Sequence, residues 1–128
     1  MPLAAFAPMA TPPWQFYALQ PQVRESDHAA LAAWPGLVDL GPELRDFADT
    51  AAVLQLLDLV ITVDTSVAHL AGALGRPVWI LLPFNPDWRW LMERDDTPWY
   101  PSARLYRQPA TGAWAPVIAR VRADLESW

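Results

Sequence analysis

With 128 residues, 53% of them hydrophobic, the chain is long enough to bury one modest core and too apolar to remain disordered. Its formal charge of -5, with 14 acidic against 9 basic residues and the arginines scattered, excludes the clustered cationic face that nucleic acid requires. There is no cysteine, so a disulfide framework is excluded and a reducing, cytoplasmic setting is expected.

Leu3 to Met9 reads as a short apolar helix ended by Pro12-Pro13, because proline removes a donor and biases the preceding residue to extended geometry. This start is too short to span a bilayer and lacks a basic leader, so no membrane span is expected. Gln15 to Leu19 follows as a strand. Asp27 is placed to cap a helix from His28 to Trp34, closed by Pro35-Gly36, and Leu37 to Leu40 forms a second short strand. Asp49-Thr50 is placed to cap a helix through Leu56 or Leu57, with Asp46 a further capping candidate.

Leu59-Val60-Ile61-Thr62-Val63 is apolar and β-branched throughout, as a strand buried on both faces should be. Ser66 to Leu74 continues as a helix with Gly75 at its C-terminal cap, and Val78 to Leu82 as the next strand, joined by a right-handed crossover. Pro83 to Pro101 is a loop rich in proline and tryptophan, with one helical turn at Trp88 to Met92. Leu105 to Arg107 is the last strand, and Trp114 to Leu125 an amphipathic helix. Strands alternating with helices predict an α/β fold, a Rossmann-like parallel sheet flanked by helices in one domain.

In such sheets ligands gather beyond the carboxyl ends of the strands, where helix N-termini point. Two loops lie there. Asp64-Thr65-Ser66 offers a helix start whose N–H groups are unpaired, two small hydroxyl residues, and His69 one turn further along the same face. Asp64 repels phosphate, so it fits better as a cap or as a partner for a sugar hydroxyl or base. The competing reading is plain capping, which Asp-Thr-Ser before a helix commonly performs. The second loop is Pro83-Phe84-Asn85-Pro86-Asp87-Trp88-Arg89-Trp90. His28 and His69 are far apart and no acidic cluster has ligand spacing, so neither metal nor cofactor is expected.

The segments Asp46 to Ala52 and Asp58 to Trp79, continued by Pro83 to Trp90 and Ser102 to Gln108, closely resemble the heptosyltransferase-like glycosyltransferases of family 9 type, above all bacterial versions that follow tetratricopeptide repeats. The resemblance implies the C-terminal half of a GT-B fold, the half that holds a nucleotide-diphosphate sugar donor. It implies transfer of that sugar to an acceptor hydroxyl. Asp64, Thr65, Ser66 and His69 match the family's motif at the donor diphosphate. Pro83 and Phe84 fall where the next loop passes the nucleotide, which makes Phe84 or Trp88 a candidate for stacking on the base.

Family members open this half with a strand and a polar loop that have no counterpart ahead of Leu3, and they carry an N-terminal acceptor-binding half. The expectation is a sheet lacking its first strand, little transferase activity in this chain alone, and apolar surface that favours homo-oligomers. The base that deprotonates the acceptor belongs to the other half in this family, so no catalytic residue is assigned. Two other readings are a non-catalytic scaffold derived from the fold and a nucleotide-sugar epimerase-like domain.

Overall fold

A computed structural model describes residues 1–128. Five parallel-paired strands and four α-helices alternate along it: β1 (Tyr17–Ala18), α1 (His28–Ala33), β2 (Val38–Asp39), α2 (Phe47–Leu56), β3 (Val60–Val63), α3 (Ser66–Ala73), β4 (Val78–Leu82), β5 (Ala103–Arg107) and α4 (Trp114–Glu126). Short 3-10 helices occupy Leu3–Met9, Glu25–Asp27, Gly41–Glu43 and Trp88–Trp90. The strands form two separate parallel groups, β1 with β2, and β3 with β4 and β5 in that order. This is the expected α/β architecture, a Rossmann-like parallel sheet between helical layers.

The centre of the fold is β4, paired in register with both neighbours, Ile80 lying opposite Thr62 on one side and Leu105 on the other. All five of its residues are buried, none more than 4% exposed. A strand covered on both faces must be apolar at every position, which Val-Trp-Ile-Leu-Leu satisfies. Val78, Ile80 and Leu82 meet Leu54 of α2 and Ala68 and Ala71 of α3. Trp79 and Leu81 face the opposite layer, Val117, Ile118, Val121 and Leu125 of α4 with Met9 beside them. Each fully buried Val, Leu or Ile side chain of this set contributes about 1.5–3 kcal/mol of transfer free energy.

Local signals explain the boundaries. At the end of α3 the Arg76 N–H closes on the Ala71 carbonyl and the Gly75 N–H on Gly72, both at 3.0 Å, with Gly75 at φ 68°. That double closure is the Schellman arrangement, and the positive φ is why glycine stands there. In α4, Pro116 sits within the first turn, where its missing N–H costs nothing.

Several expectations change. Leu3–Met9, expected as a short apolar helix, takes the 3-10 form and contains Pro8. The first two strands shrink to two residues each, because β1 has β2 as its only strand partner. Asp46, not Asp49-Thr50, caps α2, accepting from the Asp49 N–H at 2.9 Å; the Asp49 carboxylate turns back to the Arg45 N–H at 3.0 Å. Asp27 does not cap α1 with its side chain.

Asp27 instead fastens the N-terminus. Its carboxylate accepts from the Leu3 N–H at 3.0 Å and from Arg24 Nε and Nη2 at 3.0 and 2.9 Å, and the residue is 7% exposed. The Leu3 N–H does most to hold this carboxyl below its usual range; burial opposes the shift and Arg24 reinforces it. A depressed folded-state value makes the contribution full above the unfolded carboxylate range and lost as pH falls through the folded value. We therefore expect Leu3–Met9 to loosen below about pH 4. The Leu3 amide resonance followed through an acid titration checks this, and Asp27→Asn should abolish the transition.

Candidate functional site

The loops after β3 and β4 come together beyond the carboxyl end of the sheet. Alternation along β3 sets the geometry: Val60 faces the α2–α3 layer, Ile61 and Val63 face the α4 layer, and the chain leaves the strand at Asp64. Thr65 then stands extended at φ -141°, ψ 175° as the residue before α3, and its side chain makes no capping bond. Its Oγ1 instead lies 3.3 Å from Thr62 Oγ1. The Ala68 and His69 N–H groups both reach back to the Thr65 carbonyl, at 3.0 and 3.5 Å. The N–H groups of Ser66 and Val67 precede that ladder and take no side-chain cap. Thr65 and Ser66 are exposed.

Asp64 is not a cap either. Its Oδ2 accepts from Trp90 Nε1 at 2.9 Å, and its Oδ1 lies 3.4 Å from His69 Nε2. The Trp90 ring is fully buried and stacks on the His69 imidazole, centroids 5.3 Å apart. On the other side His69 Nδ1 is 2.9 Å from the Tyr100 hydroxyl. Tyr100 can lie so close because residue 72 of α3 is glycine: a Cβ there would meet ring atoms of Tyr100 at 2.7 and 2.8 Å.

Arg89 Nη1 reaches His69 Nε2 at 3.2 Å. A guanidinium only donates, so in this contact Nε2 accepts and the Nδ1 hydrogen goes to the Tyr100 hydroxyl. Asp64 and Arg89 thus compete for one ring nitrogen, Asp64 needing a hydrogen there and Arg89 a lone pair. Arg89 is itself steadied by Asp87, whose Oδ1 accepts from the Arg89 N–H at 3.0 Å and from its Nε at 3.1 Å. The backbone N–H, then the guanidinium, hold the Asp87 carboxyl below its usual range.

The loop that carries Arg89 and Trp90 is strained and strapped. Leu91 and Glu93 both adopt positive φ, 57° and 59°, which non-glycine residues keep only when their surroundings impose it. Arg107, at the end of β5, donates to the Trp90 carbonyl at 2.7 Å and to the Arg94 carbonyl at 3.3 Å, closing the two sides of that turn. Burial pushes the Arg107 guanidinium below its ordinary value, as expected for a cation bonded to carbonyls and not to a carboxylate. Trp99 Nε1 adds a bond to the Arg89 carbonyl at 2.9 Å.

Of the residues singled out from the sequence, the structure joins Asp64 and His69 directly and sets Thr65 and Ser66 beside them. Pro83 and Phe84 stand apart: the Phe84 N–H turns to Gln108 Oε1 at 3.1 Å, and its ring, 46% exposed, has no aromatic contact with His69 or Trp90. Arg89 and Trp90 belong to the second loop but were given no role of their own, and Tyr100 was not singled out. The one signal for Tyr100 was Gly72, a glycine inside a helix three residues after His69, where a close neighbour is implied. No three His, Asp or Glu side chains converge as metal ligands. A shallow groove between Leu3–Met9 and α4, lined by Ala4, Pro8, Ile118 and Arg122, lies against the helix layer and not at this rim.

Parallel strands with helices on both faces and loops joined at the carboxyl ends define a Rossmann-like α/β domain. The glycosyltransferase family 9 (heptosyltransferase) profile matches residues 20–82. Over that segment the chain is similar to this family. Protein FlbA of Caulobacter vibrioides is 35% identical over 83 residues, which is 65% of this chain and 14% of that protein. The chain thus corresponds to a small part of its relative's length. No solved structure matches it. No helix is long and apolar enough to cross a membrane.

Proposed function

We propose that the Thr65–His69 turn holds the diphosphate of a nucleotide-sugar donor. The observation that carries this reading is the start of α3, where neither Asp64 nor Thr65 spends its side chain on a cap. The Ser66 and Val67 N–H groups and the Ser66 hydroxyl are therefore left for an anion, at the positive end of the helix dipole, and the exposed Thr65 hydroxyl, now turned to Thr62, stands beside them. The match of residues 20–82 to family 9 supports a donor of this class. The Asp64 carboxylate, which would repel phosphate, is tied to Trp90 Nε1. Phe84, 46% exposed, and Trp88, 79% exposed, are the rings available to a base from the neighbouring loop. We assign this turn donor binding and no proton transfer.

Titrating UDP, ADP and GDP while following backbone amides tests the reading. The largest shifts should fall on Thr65 to His69. A Thr65→Val, Ser66→Ala double variant should weaken binding by about tenfold or more, the usual worth of hydrogen bonds to a charged group. Flat spectra with all three nucleotides would leave the domain as a scaffold built on a donor-binding fold.

A further inference from the structure

We infer that Arg89 is the cation that meets the donor's diphosphate; this rests on the donor reading above. The loop after β4 delivers its guanidinium to His69, the far end of the proposed anion turn, at 3.2 Å. The position is built rather than incidental. The arginine is fixed at its Nε and N–H by Asp87, at its carbonyl by Trp99, and through the next residue's carbonyl by Arg107. The strained Leu91 and Glu93 lie immediately beyond, in the turn that Arg107 closes. A surface arginine without a role needs no such scaffold.

The groups around Arg89 define what it would take. Its side chain is 44% exposed, Nε and Nη1 are engaged, and Nη2 has no protein partner. The charged and titratable groups facing it are Asp87 on its own loop, His69 on α3, and Asp64, which contacts the same imidazole nitrogen. Asp87 offers one carboxylate in an exposed ion pair, a weak competitor. His69 offers a neutral lone pair, an acceptor that a phosphate oxygen readily displaces. A diphosphate presents several anionic oxygens that match the planar donor fork. Arg89 then exchanges an imidazole nitrogen for a phosphate oxygen.

The test compares the 128-residue chain with R89Q and R89K, titrated with UDP, ADP, GDP and inorganic pyrophosphate at two salt concentrations. R89Q should bind about tenfold more weakly, with R89K between it and the parent, because a point charge keeps attraction but loses the fork. Affinity in the parent should also fall more steeply with salt than in R89Q. A parent chain that binds while R89Q binds equally well overturns this inference and leaves the donor reading standing. A parent chain that binds none of the probes overturns both. Should R89Q fold poorly, an affinity of the parent that does not change with salt overturns the inference on its own.

Discussion

Replacing Trp90 with alanine should lower the unfolding free energy by about 3–5 kcal/mol, the range for removing a buried tryptophan ring. The residue is 0% exposed, lies among Leu54, Leu82 and Leu105, and covers the end of the sheet from the loop side. Its loss opens a cavity beneath a turn already held in unfavourable backbone geometry, and that turn is too constrained to collapse inward. Trp90→Phe separates the two roles of the ring. Most of the apolar volume remains, whereas the Nε1 bond to Asp64 is lost. Asp64 is only partly buried, its side chain 27% exposed, so water satisfies it and the cost falls to about 1 kcal/mol. Urea unfolding with an unchanged m-value measures both. If Trp90→Ala and Trp90→Phe were equally destabilising, the packing account would be wrong.

Gly72→Ala should destabilise the protein by about 1–3 kcal/mol although it improves a helix. Helix propensity alone predicts a gain of about 1 kcal/mol for this exchange. The new methyl would, however, sit inside the Tyr100 ring, within 2.8 Å of three of its carbons. That ring is held in place by its hydroxyl at His69 Nδ1, 2.9 Å away, and by the Trp90 ring, centroids 6.4 Å apart. Overpacking therefore outweighs propensity, and His69 loses the partner that orients it. A double-mutant cycle checks the mechanism: on a Tyr100→Ala background the same Gly72→Ala change should be neutral or stabilising. The same sign on both backgrounds would mean the ring is not the obstacle.

The sequence was most informative where one rule acted alone. An unbroken β-branched run gave β3, a five-residue apolar run gave β4, and Gly75 gave the end of α3, because burial and backbone geometry left no other solution. Boundaries failed where polar side chains had a choice of partner. Asp27, Asp49 and Asp64 all stand beside helix starts, and the sequence cannot say that their oxygens go to Leu3, Arg45 and Trp90. The same limit applied to the candidate site. The Asp64–His69 turn was legible because it is contiguous. Arg89, Trp90 and Tyr100 arrive from 20 to 31 residues beyond His69, inside a loop whose path depends on Arg107 and on two backbone conformations that no propensity scale favours.

The division of the strands into two groups carries a practical consequence. On β5, the Leu105 N–H is closed by the Asp95 carbonyl at 2.7 Å, but β3 has β4 as its only strand neighbour. The outer margin of Leu59 to Val63 is thus a run of amide groups without a strand beside it, on a segment with no proline, lysine or charge within it. Such a margin templates the growth of cross-β aggregates. The carboxylates of Asp58 and Asp64 flank it, the placement of charged gatekeepers that oppose such pairing. Neutralising Asp64 is therefore expected to be noticed first as lost solubility in concentrated solution.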